Sequence, residues 1–146
     1  MSVALFSESF DPWQAVQAHQ ATLRPGSYGA ACVFVGSMRD FNAGRDGVEA
    51  MFLEHYPGMT ERHLEKICDE AQGRWAVDAV LIGHRVGEVV PSEPIVVTAV
   101  WSAHRREAFE ACRFLMEELK SRAPFWKKER LGGVGERWVE GNTAGY

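Results

Sequence analysis

SAHRREAFEACRFLMEELKSR, residues 102–122, is the stretch that decides the fold. Ala108, Phe109, Cys112, Leu115, Met116 and Leu119 recur at intervals of three and four, an apolar stripe that predicts one long amphipathic helix. Ser102 stands where a helix N-cap belongs. Pro124 ends the helix, because the residue before a proline is pushed out of helical geometry. The unusual part is charge. Five of the eleven residues from Lys120 to Arg130 are basic, in a chain whose formal net charge is −4.

Working outward, the other elements are shorter. Asp11 caps a helix that begins with Pro12 and runs through WQAVQAHQATL until Arg24-Pro25-Gly26-Ser27 ends it. GAACVFVG, 29–36, has the continuous apolar run of a strand buried on both faces. DFNAGRDG, 40–47, is polar and glycine-containing, as a mobile surface loop would be. VEAMFLEHY, 48–56, is a second strand; Pro57-Gly58 then turns the chain and Thr60 caps a helix with Leu64, Ile67, Cys68 and Ala71 on one face. VDAVLIGHRVGEV, 77–89, and PIVVTAVW, 94–101, are strands around a Pro-Ser-Glu-Pro turn. LGGVGERWVEG contributes a loop and one short strand before a frayed tail. Strands in pairs with three helices between them predict an α+β fold with a mainly antiparallel sheet.

At 146 residues, 46% apolar and 25% charged, the chain is expected to form one domain over 1–146. It holds no run of about 18 apolar residues, and its start, MSVALFSESFDPW, lacks the basic beginning and cleavage site of a signal peptide. The three cysteines, Cys32, Cys68 and Cys112, show no CxxC spacing and fall on apolar stretches, as small hydrophobes do. A cytoplasmic protein is expected. The acidic balance argues against a nucleic-acid partner, so an anion handled here must meet a local cationic cluster.

The long helix offers such clusters at both ends. His104, Arg105 and Arg106 lie in its first turn, where the helix dipole is already positive and each added cation costs roughly 0.3–1 kcal/mol. Arg106 reaches into water. Rotation of about 100° per residue sets Arg105 within the stripe of Phe109, Cys112 and Met116, facing inward either to hold an anion such as phosphate or to form a structural salt bridge. At the far end Lys120 lies on the border of the apolar face. It is either a snorkelling surface lysine or one dehydrated by Phe125 and Trp126 beside Lys127 and Lys128, with its pKa lowered for proton transfer or nucleophilic work. Burial decides between the two. His104 and Lys120 are sixteen residues apart, roughly 24 Å along a helix, so no small substrate touches both in one chain. Two sites, or a two-fold dimer that brings opposite helix ends together, would resolve this, and the dimer is favoured.

At these residues the chain resembles the large, catalytic subunit of molybdopterin synthase. The motifs that carry the resemblance are FVGSMR at 34–39, LEHYPGMTE at 53–61, HRVGEV at 84–89, SAHR at 102–105 and LKSRAPFWKKE at 119–129, spread from about Tyr28 to Glu140. The resemblance implies an α/β-hammerhead fold and a homodimer of large subunits. Each would bind a small ubiquitin-like subunit, giving a heterotetramer. The small subunit's C-terminal Gly-Gly thiocarboxylate would deliver sulfur to cyclic pyranopterin monophosphate, in two rounds, to form the molybdopterin dithiolene. Carried over residue by residue, Lys120 matches the family's essential lysine and Lys127 its second. Arg39 matches a substrate-contacting arginine, and His104 and Arg105 a pair supplied by the other large subunit. Lys128 and Glu129 complete the cationic wall. Ser37 and Met38 stand where many relatives place a basic or small residue followed by valine; they are carried as substrate-binding positions through the backbone, with their side-chain contacts open.

Other signals are weaker. GGVG at 132–135 lacks the Lys-Ser/Thr of a phosphate loop. His19, His55, His63 and His84 have no metal-ligand spacing, so neither metal nor cofactor is expected. Trp13, Trp75, Trp101 and Trp138 are taken as packing residues. The competing reading is a non-catalytic anion-binding or scaffold domain that recognises a ubiquitin-like tail; a nucleic-acid binder using 120–130 is a third.

Overall fold

The computed structural model describes residues 2–40, 47–122, 125–131 and 135–139. The central element is a four-stranded sheet in the order β1-β4-β6-β2, formed by β1 (Val3–Phe6), β2 (Ala30–Ser37), β4 (Val77–Arg85) and β6 (Pro94–Ser102). β1 pairs with β4 in parallel, whereas β4–β6 and β2–β6 are antiparallel. Alternation along the strands sends residues to two separate cores. Val80, Ile82, Val96 and Val100 meet Leu64, Ile67, Cys68 and Ala71 of α2 (Met59–Arg74) and Ala111, Cys112, Leu115 and Leu119 of α3 (Arg105–Arg122). Their neighbours Ala79, Leu81, Val97, Ala99 and Trp101 face the other way, toward Val16 of α1 (Pro12–Gln20). Trp101 is wholly buried and donates its indole N–H to Gln20 Oε1 at 2.9 Å.

A second sheet, in the order β5-β3-β7-β8, is antiparallel throughout. It comprises β3 (Val48–His55), β5 (Gly87–Val89), β7 (Phe125–Leu131) and β8 (Gly135–Trp138). Met38, Val48, Met51, Leu53 and Val89 form its small core, and Ile95 touches both this core and the one under α2 and α3. Three helices with two largely antiparallel sheets make the α+β architecture expected from the sequence.

Several local expectations need correction. The run 77–89 is not one strand: the chain leaves the first sheet after Arg85, turns at Gly87 with φ +85°, and enters the second as β5. A side chain at that φ would be strained, which is why glycine stands there. β1 and β7 are strands the pattern missed. β2 is not buried on both faces, because it is the edge of its sheet and Phe34 is 44% exposed. Thr60 is not an N-cap; Gly58 is, and Glu61 accepts its N–H at 2.9 Å while the buried Thr60 hydroxyl accepts from Tyr56 N–H at 3.0 Å. Ser102 ends β6 and donates to His104 O, so α3 starts only at Arg105. Asp11 caps α1 as expected, its Oδ1 accepting from Trp13 and Gln14, but the helix ends at Gln20 rather than near Leu23. Trp13 and Trp138 are exposed rather than packed. The expected loop at 40–47, the stop at Pro124, the GGVG segment and the tail lie wholly or mostly outside the described residues.

Candidate functional site: a lysine cluster between the two sheets

The C-terminal turn of α3 and the strand β7 approach each other above the first sheet. Lys120, half-buried, follows the buried Leu119. β7 then alternates. Its register with β3 pairs Phe125 with His55, Lys127 with Leu53 and Glu129 with Met51, so these three side chains turn inward. Leu53 and Glu129 are 1% and 3% exposed, which makes the surroundings of Lys127 dry. The Lys127 ammonium is accordingly depressed to a pKa of about 8: burial is the largest cause, followed by the charge of Lys120 and a hydrogen bond with it. Arg39, just beyond β2, adds to the depression, while the carboxylate of Glu129 opposes it. Arg39, Lys120, Lys127 and Glu129 therefore share one electrostatic neighbourhood.

The floor of this neighbourhood is His84 of β4. Its ring stacks on Phe125 at 3.9 Å and 12°, and Nδ1 lies 2.7 Å from the Arg85 carbonyl. Burial, with Lys120, Lys127 and His55 nearby, drives its pKa down to about 3, although the hydrogen bond to Arg85 O works the other way. The imidazole is thus neutral and donates Nδ1–H to that carbonyl. A neutral aromatic floor leaves the lysines dehydrated without adding a further cation. Nothing in the spacing of the histidines signalled it; only the β4 alternation that aims position 84 toward α3 could have.

Other predicted positions lie elsewhere. Lys128 occupies the opposite face of β7, with its Nζ 5.4 Å from the centre of the Trp138 ring, and so does not line the same wall as Lys127 and Glu129. That follows from strand alternation, which the sequence reading does not supply because it assigns 125–130 to no element. Met38 is 6% exposed and packs in the core of the second sheet, whereas Ser37 and Arg39 are exposed. At the other end of α3, His104 and Arg105 are exposed, and Phe109, expected in the apolar stripe, is 63% exposed. Arg105 therefore does not face inward within its own chain. A depressed lysine pKa, one of the two readings offered for Lys120, is found at Lys127.

Beside Lys120, an open, largely apolar cleft of about 530 Å³ runs between β2 and α3, bordered by Phe34, Phe109 and Met116. Arg113, Glu117 and Lys120 line its α3 side, so the cleft pairs an apolar wall with a charged edge, an arrangement suited to an extended segment.

The chain resembles known proteins over most of its length. The family model described as MoaE protein matches residues 7–122. The molybdopterin synthase catalytic subunit of Pseudomonas aeruginosa is 51% identical over 144 residues, covering 99% of this chain and 93% of that one. Among solved structures, the molybdopterin biosynthesis MoaE protein from Burkholderia ambifaria superposes with a TM-score of 0.79 at 45% identity, over 98% of this chain and 91% of that one. Molybdopterin synthase from Staphylococcus aureus gives 0.81 at 30% identity, over 94% and 95%. With a family model spanning most of its length and a relative half identical to it from end to end, the chain belongs to the MoaE family, the catalytic subunits of molybdopterin synthase.

Proposed function

We propose that the chain moves sulfur from the C-terminal thiocarboxylate of a small ubiquitin-like subunit onto cyclic pyranopterin monophosphate, producing the dithiolene of molybdopterin. Arg39, Lys120 and Lys127 come from one chain, and His104 and Arg105 from a second copy across a two-fold axis. The observation that carries this reading is the dry contact of Lys120 with Lys127, whose ammonium titrates near pH 8. Both reactants are anions, and a partly dehydrated cationic site offsets their repulsion as they meet.

Chemically, in each of two rounds the sulfur of a thiocarboxylate bonds to a side-chain carbon of the pterin as a carbon–oxygen bond there breaks, and the oxygen leaves as phosphate or, once protonated, as water. Water then cleaves the acyl–sulfur bond. The small subunit departs as a carboxylate and its sulfur stays on the pterin. That cleavage passes through a tetrahedral oxyanion, which Lys120 stabilises. Lys127, with a pKa close to neutrality, delivers and recovers the proton. Glu129, buried behind it, keeps Lys127 cationic enough to do so. The backbone at Ser37 and Met38 borders the substrate near Arg39. Lys128 acts from the outer face of β7 on the incoming subunit rather than on the pterin.

The exposure of His104 and Arg105 supports the second-copy assignment, since helix length keeps them roughly 24 Å from Lys120 in their own chain. The relatives' name, catalytic subunit, supports a second kind of subunit in the assembly. We assign the reaction to the cytoplasm, whose reducing pool holds free cysteines such as Cys32, Cys68 and Cys112 as thiols unless an oxidant is present. No helix among the described residues is long and apolar enough to cross a membrane. The test is to mix the protein with thiocarboxylated small subunit and the pterin precursor and assay dithiolene. A folded Lys120→Ala variant that still binds the small subunit should form none, and unchanged product would overturn the assignment.

A further inference from the structure

Two of the three thiols meet beside the lysine cluster. Sheet register shows why. Phe34 on β2 lies opposite Thr98 on β6, and Cys32 lies opposite Val100, two residues along on the same face of the sheet. That face carries α3, whose Cys112 sulfur is 3.4 Å from Thr98 Oγ1 and 3.8 Å from Thr98 O. Cys32 packs against the core cluster that contains Cys112, the two thiols are in side-chain hydrogen-bonding contact, and both line the cleft that ends at Lys120. Cys68 is apart from them, buried in α2.

We propose that Cys32 and Cys112 form an oxidisable pair that closes to a disulfide across the β2–α3 cleft. The co-reactant is a small-molecule disulfide. Cys32, the half-exposed thiol, loses its proton and attacks one sulfur of that reagent, forming a mixed disulfide and releasing the first small thiol. Cys112 then loses its proton and attacks the Cys32 sulfur, which expels the second small thiol. Two cysteine thiols are oxidised and one disulfide is reduced to two thiols, so atoms and electrons balance. The order follows from burial, which pushes the Cys112 thiol up to about 12 and makes it a poor first nucleophile. A sulfur–sulfur bond of about 2 Å draws α3 onto the edge strand and narrows the cleft beside Lys120. A free thiol pair leaves it open.

The experiment needs no substrate. The full chain is incubated with oxidised glutathione, denatured, alkylated with N-ethylmaleimide and weighed intact. One alkyl group is expected instead of three, with no retained glutathione, and peptide mapping should join Cys32 to Cys112 and leave the alkyl group on Cys68. Dithiothreitol before alkylation should restore all three groups. Cys68→Ala should oxidise at an unchanged rate, and Cys32→Ser should leave Cys112 fully alkylated. Three alkyl groups after oxidation, a stable glutathione adduct at Cys32 with Cys112 still alkylated, or a bridge that includes Cys68 would each overturn the proposal.

Discussion

The two ends of α3 carry similar charges in opposite surroundings. At the C-terminal end, Lys120 adjoins a core and meets Lys127 over a stacked His84–Phe125 floor, and dehydration moves a pKa. At the N-terminal end, His104 and Arg105 are exposed and Phe109 is bare. A cation at a helix terminus is therefore not a site by itself. It becomes one when a second element removes water around it: β7 does this for Lys120, and a second copy of the chain is proposed to do it for Arg105.

The strongest way to break this comparison is at Lys120. Lys120→Ala should lower dithiolene formation at least about 100-fold, while the thermal transition of the protein stays near that of the parent. The next test asks whether the two ends work together. Arg105→Ala alone should be severely impaired, as Lys120→Ala is. Mixing the two variants and allowing subunits to exchange should restore about a quarter of parental activity, because half the dimers are mixed and each has one intact composite site. No recovery after verified exchange would confine the site to one chain.

His84 sharpens the contrast through acid stability. Its folded pKa of about 3 is below the ordinary 6.5, so between those values the unfolded chain binds more protons. Stability should fall as pH drops from 6.5 toward 3, by on the order of 5 kcal/mol, and His84→Leu should flatten that part of the denaturation profile. Lys127 has the same sign in a different window. Its folded pKa of about 8 is below 10.5, so stability should rise as pH climbs between them. Activity should move the other way, falling up to about tenfold per unit above pH 8 as the ammonium is lost; Lys127→Arg, which cannot release its proton, should lower activity at every pH and leave what remains without that fall. The smallest effect belongs to the bare end. Phe109→Ser should change monomer stability by no more than about 0.5 kcal/mol in urea titrations.

Periodicity revealed α3 well, because Ala108, Cys112, Leu115 and Leu119 are all buried. It misjudged Phe109, which sits at the margin of the stripe where no neighbouring element covers it. β7 escaped notice for a more instructive reason. A strand announces itself by an apolar inner face, yet the inner residues of FWKKERL are Phe125, Lys127 and Glu129. The polar groups needed for chemistry erased the pattern of the element that carries them. The change of sheet at Val86–Gly87 was hidden for a different reason: 77–89 reads as one unbroken strand-like run, and Gly87 alone marks the turn within it. Distance along α3 did separate the two cationic ends before any coordinates, which is the ground for proposing a second copy. What spacing could not supply was the drying of Lys127, which depends on residues from β3, β4 and α3 meeting in space.

The passage of one continuous run, 77–89, from the first sheet to the second has a mechanical side. Lys120 rides on the helix layer of one sheet and Lys127 on a strand of the other, so the gap between their nitrogens is set by the joint between the sheets. Arg85 braces that joint from within, bonded to the Glu88 carbonyl and to Glu93. The spacing of two like charges, and with it the lowered pKa of the Lys127 ammonium, is thus held by contacts that lie outside the lysine cluster itself.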